Sequence, residues 1–432
     1  MIASRNLTPM EELFFWDDRP AYPCACFFRA EFRGALNRLA LEAAIARTLR
    51  LYPLFCSKVQ FDSAGRLQWL VSEEPEFMIC WGQIAEGHML PSAGRIDLSA
   101  ETGIRFYATC NGERSVLIVQ FHHACSDALG IMRFLRDFLR AYHDPSATAL
   151  SKSPNHHCPT IMPSRRKRWW PPSRMPQALW RAWLIARRRP LSLIPGKPPH
   201  PEAPLHEDYP SAVWQSLDPV ETALLSRAAS RQKVTFNDLL LRDLLLALAD
   251  WRGSDGLAGQ NGWVRILVPE LTEKARSSPG STPDAVSTLF LDVDTQEIRS
   301  PDLLLKIHGD MMAKKLAGDG DLLRLGAALD RRLGGNLARH VRANKCLFTT
   351  VFSNLGKVPM DGSEPSQSLR LDSVRGVHVV RPYSPVNFMV MTIAESLSLT
   401  MSFDSRVIQR AEAEDLFQGL LGKLRDSIET AS

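Results

Sequence analysis

The chain has 432 residues, of which 45% are hydrophobic and 23% charged, and a formal net charge of +5. That length exceeds one ordinary compact domain and fits a single two-lobed enzyme with two apolar cores better than a string of modules. Its eight cysteines include no C-x-x-C pair, and no run of about 18 or more apolar residues or leader-like segment is seen, so no membrane span is expected and a reducing cytoplasm is the expected location.

Residues 1–145 read as an α/β lobe. Apolar spacing predicts a helix over Leu36–Leu49, strands near Val59 and over Leu67–Val71 and Ile104–Cys110, and then a β-branched apolar strand, SVLIVQF, over Ser115–Phe121. Leu129–Tyr142 has helical spacing, so FHHACSDALG, Phe121–Gly130, spans a strand-to-helix junction. Such a junction can aim a side chain and still leave it open to a cleft. His123 is the candidate general base, because an imidazole with an unperturbed pKa of about 6.5 accepts a proton near neutrality. Asp127, four residues on, suits a structural role, steadying the loop or pairing with an arginine. A plain hydrogen-bonded histidine pair is the blander reading of His122 and His123. A metal site of His122, His123, Cys125 and Asp127 is disfavoured, because adjacent strand residues point to opposite faces. Nucleophilic catalysis by Ser126 or Cys125 is disfavoured because neither sits in a G-x-S-x-G elbow.

Residues 146–204 read as a basic, Trp- and Pro-rich linker between lobes. No acidic residue occurs between Asp144 and Glu202, whereas eleven basic ones do, leaving the rest of the chain with 41 basic and 47 acidic residues. A short helix is expected between Pro176 and Pro190, with Leu179, Trp180, Trp183, Leu184 and Ala186 on one face and Arg187–Arg189 after it. Residues 165–189 are therefore a candidate for peripheral membrane contact, too short to span a bilayer; an anion-attracting surface for a thioester donor, or simply a solvated face, are the alternatives. Nucleic acid is not expected, since the basic residues are confined to the linker and no nucleic-acid module accompanies them.

The second lobe is placed at 205–432. Asp218 with Glu221, and Thr235 with Asp238, read as helix starts, followed by a strand at Val264–Val268. Pro301–Leu316 and Leu322–Val341 are helical by period, Cys346–Phe352, Phe388–Ile393 and Leu397–Phe403 read as strands, and Ala411–Ile428 is an amphipathic closing helix. The fold class is α/β (α+β), with similar element types in both halves.

HHACSDALG resembles the HHxxxDG signature of the chloramphenicol-acetyltransferase-like superfamily, which includes condensation domains, alcohol acyltransferases and wax-ester synthases. Ala128 stands in place of the family glycine, with Gly130 two residues on. In matching order, LTPMEELFFW resembles the family's opening, LRLYPLF the R-H-P-L-L-like helix end, TFNDLLLRDLLLAL the S-x-N-D helix, RILVPELTEKAR the V-P-V-N-x-R strand and VFSNLG the S-N-x-G element. The resemblance implies two pseudo-duplicated lobes with mixed sheets flanked by helices, a tunnel between them, and acyl transfer from a coenzyme A or carrier-protein thioester to a hydroxyl. It implies His123 as base with no covalent enzyme intermediate, Asn354 (second choice Ser353) as donor to the developing oxyanion, and Asp127 paired with Arg276, or alternatively Arg265, to lock the loop beside a structural His122. No bound cofactor is expected, only the thioester co-substrate, and the chain is expected to be a monomer. Amide formation by a free-standing condensation enzyme is the runner-up; a degenerate thioester-binding protein is the non-catalytic alternative, to which Ala128 lends some weight.

Overall fold

The structure is a computed structural model and describes residues 3–72, 74–82, 90–144, 175–206, 208–271, 286–332, 337–359 and 369–430. The first half contains β1 (Ala3–Asn6), α1 (Pro9–Asp17), β2 (Ala25–Arg33), α2 (Arg38–Leu49), β3 (Lys58–Phe61), β4 (Leu67–Val71), β5 (Met78–Trp81), β6 (Ile104–Cys110), β7 (Arg114–His122) and α3 (Ala128–His143). After α4 (Met175–Arg187) come β8 (Ser211–Leu217), α5 (Pro219–Arg231), α6 (Phe236–Asp250), β9 (Trp263–Leu271), β10 (Val286–Asp294), α7 (Leu303–Ala317), α8 (Leu322–Arg332) and α9 (Leu337–Arg342). The chain continues with β11 (Thr350–Lys357), β12 (Arg370–Val377), β13 (Val386–Ile393), β14 (Ser396–Phe403) and α10 (Arg410–Glu429).

Among the described residues three sheets form: β1-β4-β3, β12-β2-β7-β6-β5 and β10-β9-β11-β13-β14-β8. The larger two are mixed, since β5 runs parallel to β6, and β11 parallel to both β9 and β13, while the other ladders are antiparallel. Period-2 alternation sends Leu117, Val119 and Phe121 of β7 into one core with Phe134, Leu135 and Phe138 of α3, whereas Ile118 joins Phe27 and Tyr107 on the opposite face. Phe55, Phe106, Phe121 and Phe134 pack with ring centroids 5.7–5.9 Å apart, so LRLYPLF forms the underside of the histidine loop. The other core gathers α5, α6 and α10 against the six-stranded sheet through Leu225, Leu244, Leu248, Phe388, Leu399 and Leu420.

The halves are not independent in space. β12 leaves the second half to pair with β2, with Val377 opposite Phe27, and Leu355, Val358, Met389 and Met391 pack into the first-half core. The divisions drawn at 145 and 205 are thus crossed by a whole strand. Two expected elements also change. The strand expected at Cys346–Phe352 begins only at Thr350, after Asn344 takes a left-handed φ of 47°. The single helix expected over Leu322–Val341 is divided into α8 and α9, with residues 333–336 outside the described set.

Arg381, between β12 and β13, ties this crossing strand to the first half. Its Nε lies 2.5 Å from Asp17 Oδ2, and its Nη1 donates to the carbonyls of Tyr22, Pro23 and Val380 at 3.1, 3.1 and 2.9 Å. Removing the guanidinium would leave three carbonyls and a carboxylate short of a donor, so Arg381→Ala is expected to lower the unfolding free energy by about 3 kcal/mol in chemical denaturation. A change within about 0.5 kcal/mol, the usual surface effect, would show that the tie adds nothing to stability.

Candidate active site

Backbone hydrogen bonds shape the FHHACSD loop before any side chain acts. The His122 N–H donates to Gly103 O (2.9 Å), His123 N–H to Cys24 O (2.7 Å), and Cys125 N–H to His122 O (2.9 Å). Asp127 then caps α3 by accepting from the Gly130 N–H at 2.7 Å. Ala128 is simply the first residue of that helix, partly packed on the core and without a positive φ, so the position requires no glycine. Gly103 is required: a Cβ there would collide with Cys125 Sγ. Cys125 itself is buried, which holds its thiol protonated far into the alkaline range and suits packing rather than nucleophilic attack.

The two histidines diverge as neighbouring strand-end residues should. His122 is buried; its Nδ1 accepts the Ala124 N–H at 3.1 Å, so the ring proton sits on Nε2, which faces Asp18 Oδ2 at 3.7 Å, beyond hydrogen-bonding distance. Burial raises the Asp18 pKa, but His122, Arg95 with its Nε at 2.5 Å, and the Cys24 N–H at 2.7 Å outweigh it and hold the carboxylate ionised. His122 is thus turned into the network of Asp18 and Arg95.

His123 is half-buried. Its Nδ1 lies 3.0 Å from the carbonyl of Ser126, and because a carbonyl only accepts, Nδ1 must carry the proton. Nε2 is left as the lone pair, and no described hydrogen bond engages it. Phe14 of α1 stacks on the imidazole with centroids 4.2 Å apart and an 8° interplanar angle. Phe14 is held there from the start of α1: Thr8 and Glu11 form a capping box, and the buried Glu11 also receives Arg5 at 2.6 and 2.8 Å and the Trp69 indole at 3.0 Å.

His378 was not anticipated. It follows β12, and the registers Val377 opposite Phe27 and Ala25 opposite His122 bring the ends of β12, β2 and β7 to one edge of the sheet. The rings of His378 and His123 meet edge-to-face at 6.0 Å. Desolvation lowers the His123 pKa to about 3, aided by repulsion from His378 and Arg381, and burial takes His378 to about 4. The only sequence signal for His378 was a histidine interrupting the apolar run Val377–Val380.

The other candidate residues belong to the second half of the chain. Asn354 lies on β11; its Nδ2 donates to Asn237 Oδ1 at 3.0 Å and its Oδ1 accepts the Gly356 N–H at 2.8 Å, so VFSNLG and TFND are in contact. No described hydrogen bond or ring contact joins Asn354 to His123. Ser353 is its buried neighbour on the strand. Arg276 lies outside the described residues. Arg265 is not available to Asp127: its guanidinium is buried against Asp292 at 2.5 and 2.9 Å and donates to the carbonyl of Ile185. A recess of about 370 Å³ is lined by Trp16 of α1 with Ala338, Arg339 and Arg342.

No family model matches the chain, and no curated protein matches it in sequence. Solved structures do match. The trichothecene 15-O-acetyltransferase from Fusarium sporotrichioides has 12% identity and a TM-score of 0.69, over 98% of this chain and 95% of that one. The first condensation domain of the calcium-dependent antibiotic synthetase has 16% identity and a TM-score of 0.65, over 99% and 96%. Polyketide synthase associated protein 5 from Mycobacterium tuberculosis has 15% identity and a TM-score of 0.63, over 98% of each chain. The chain thus shares, along essentially its whole length, the fold of an O-acetyltransferase and of condensation domains.

Both imidazoles are kept neutral by the fold, whereas an unfolded imidazole titrates near 6.5. Below that value the unfolded chain binds more protons than the folded one, so the stability these groups contribute is complete above about pH 6.5 and falls as the pH is lowered towards the folded values. Urea midpoints should therefore drop between pH 7.5 and 5.5, and the drop should be smaller in His378→Phe. An equal drop in that variant would count against the burial argument.

Proposed function

We propose that this protein transfers an acyl group from a thioester to a hydroxyl, with His123 Nε2 as the general base. The observation that carries the reading is the Nδ1-to-Ser126 hydrogen bond, which fixes the tautomer and leaves one aimed lone pair at a strand end. The likeness in fold to an O-acetyltransferase and to condensation domains supports the reaction class. The donor is an acyl-coenzyme A or acyl-carrier thioester, entering by a passage between the lobes, and no bound cofactor takes part.

In the proposed step the acceptor O–H gives its proton to Nε2 as its oxygen attacks the thioester carbonyl. The resulting imidazolium returns that proton to the departing thiolate, so the free thiol and the ester leave and the base is restored. General-base assistance of this kind contributes about 10² to 10⁴ in rate. Asn354 is assigned the oxyanion: one amide hydrogen is committed to Asn237, and the second is the donor for the developing charge. Asp127 acts through the α3 cap, whatever part Arg276 takes.

Free-thiol release from acyl thioesters in the presence of pooled alcohols and amines, with products identified by mass spectrometry, tests the reading and separates ester from amide formation. His123→Ala should lower the rate by about 10²-fold or more. An unchanged rate would sink the base assignment, and thioester binding without turnover would favour the non-catalytic alternative. Because burial holds the His123 pKa to about 3, kcat/KM should stay level as the pH falls through 6.5 and decline only in more acid solution. A decline centred on the ordinary imidazole value would contradict the burial of the base.

A further inference from the structure

We propose that the outer face of α4 docks on the surface of an anionic lipid bilayer. Leu179, Trp180 and Trp183 are 52%, 58% and 53% exposed, unusual for side chains of their size and type, and with Arg187 they fall on one arc of the helix at about 3.6 residues per turn. The opposite arc is anchored: Ala178 is buried, Arg181 lies 2.6 Å from Asp319, and the carbonyls of Ile185 and Arg188 accept from Arg265 at 2.9 and 3.4 Å. The helix is thus fixed by its inner side and presents its outer side.

Two leucines of other elements, Leu316 and Leu347, are also exposed, at 79% and 59%. The acidic groups nearby are turned inward and compensated, Asp319 by Arg181 and Asp292 by Arg265 and Arg188. Arg187 and Arg189 stay exposed, the former with its guanidinium 5.3 Å from the Trp183 ring. Indole rings, leucines and outward arginines on one fixed helix are the composition that settles at the boundary between headgroups and acyl chains, and the basic excess selects anionic lipid. Residues 165–174 lie outside the described residues; from Met175 to Pro201 the sequence has five basic residues, Arg181, Arg187, Arg188, Arg189 and Lys197, and no acidic one. At 13 residues α4 would lie in the interface, and among the described residues no helix is long and apolar enough to cross a membrane. This inference does not rest on the acyl-transfer reading.

The test is sedimentation of the full chain with vesicles of phosphatidylcholine alone or of equimolar phosphatidylcholine and phosphatidylglycerol. Binding is expected to the mixed vesicles and to weaken with added salt; Trp180→Ala with Trp183→Ala should reduce the partition coefficient about tenfold or more, and Arg187→Glu with Arg189→Glu should abolish the preference for anionic lipid. Circular dichroism should show both double variants folded. No binding to mixed vesicles, or binding undiminished by the tryptophan changes, overturns the proposal. So does concentration-dependent self-association that the tryptophan changes abolish, which would make the face a contact between copies, and so does capture by an acidic protein without any affinity for lipid.

Discussion

The pairing of Arg370–Val377 with Ala25–Arg33 is the constraint on which the site rests. An added edge strand satisfies its own backbone groups by extending the ladder of β2, and its register then fixes where the next residues of the chain emerge. Because β2 is antiparallel to both β12 and β7, the last residues of those two strands lie at one edge of the sheet. His378 consequently meets His123, and Arg381 reaches the Tyr22–Pro23 carbonyls and Asp17. A slip of one residue would reverse the faces of β12 and withdraw both groups. The second half of the chain therefore reaches into the geometry of a loop that belongs to the first.

Within that loop the backbone decides which nitrogen of each histidine can act. Ala124 supplies an N–H to His122 and Ser126 supplies a C=O to His123, so the two rings take opposite tautomers although they are adjacent and chemically identical. One ring is turned into the network of Asp18 and Arg95, and the other keeps a lone pair. The α3 cap by Asp127 and the close approach of Cys125 to Gly103 hold the backbone that makes these choices. Rigid support of this kind is what lets an imidazole act as a base without reorganising at the moment of reaction.

The legible parts of the sequence were those with local causes. Leu67–Val71 and Ile104–Cys110 were bounded correctly from apolar patterning, and the starts of α5 and α6 followed from capping boxes at Asp218 and Thr235. The junction bearing His123 was legible for the same reason, since a β-branched strand and an amphipathic helix bracket it. β12 was not, because RLDSVRGV has few apolar residues and is stabilised by pairing with a strand more than 300 residues away. Nothing near His378 or Arg381 marks them as partners of a loop at 122–127; only register does. The contact between Asn237 and Asn354 is a similar case, with both motifs readable and their meeting a matter of topology.

The electrostatics around His123 set a condition on the chemistry. Burial, His378 and Arg381 all oppose a charge on His123, and no carboxylate accepts a hydrogen bond from its Nδ1, which faces a neutral carbonyl instead. On the proposed reading His123 is a base that is unprotonated at neutral pH yet weak, below the value at which proton transfer would be best matched. It can take a proton in the reaction only if negative charge grows nearby at the same moment, as it does on the carbonyl oxygen of an attacked thioester. Imidazolium and oxyanion would then stabilise each other. On the proposed reading, the environment that makes His123 a poor base for a neutral site ties its protonation to formation of the tetrahedral intermediate.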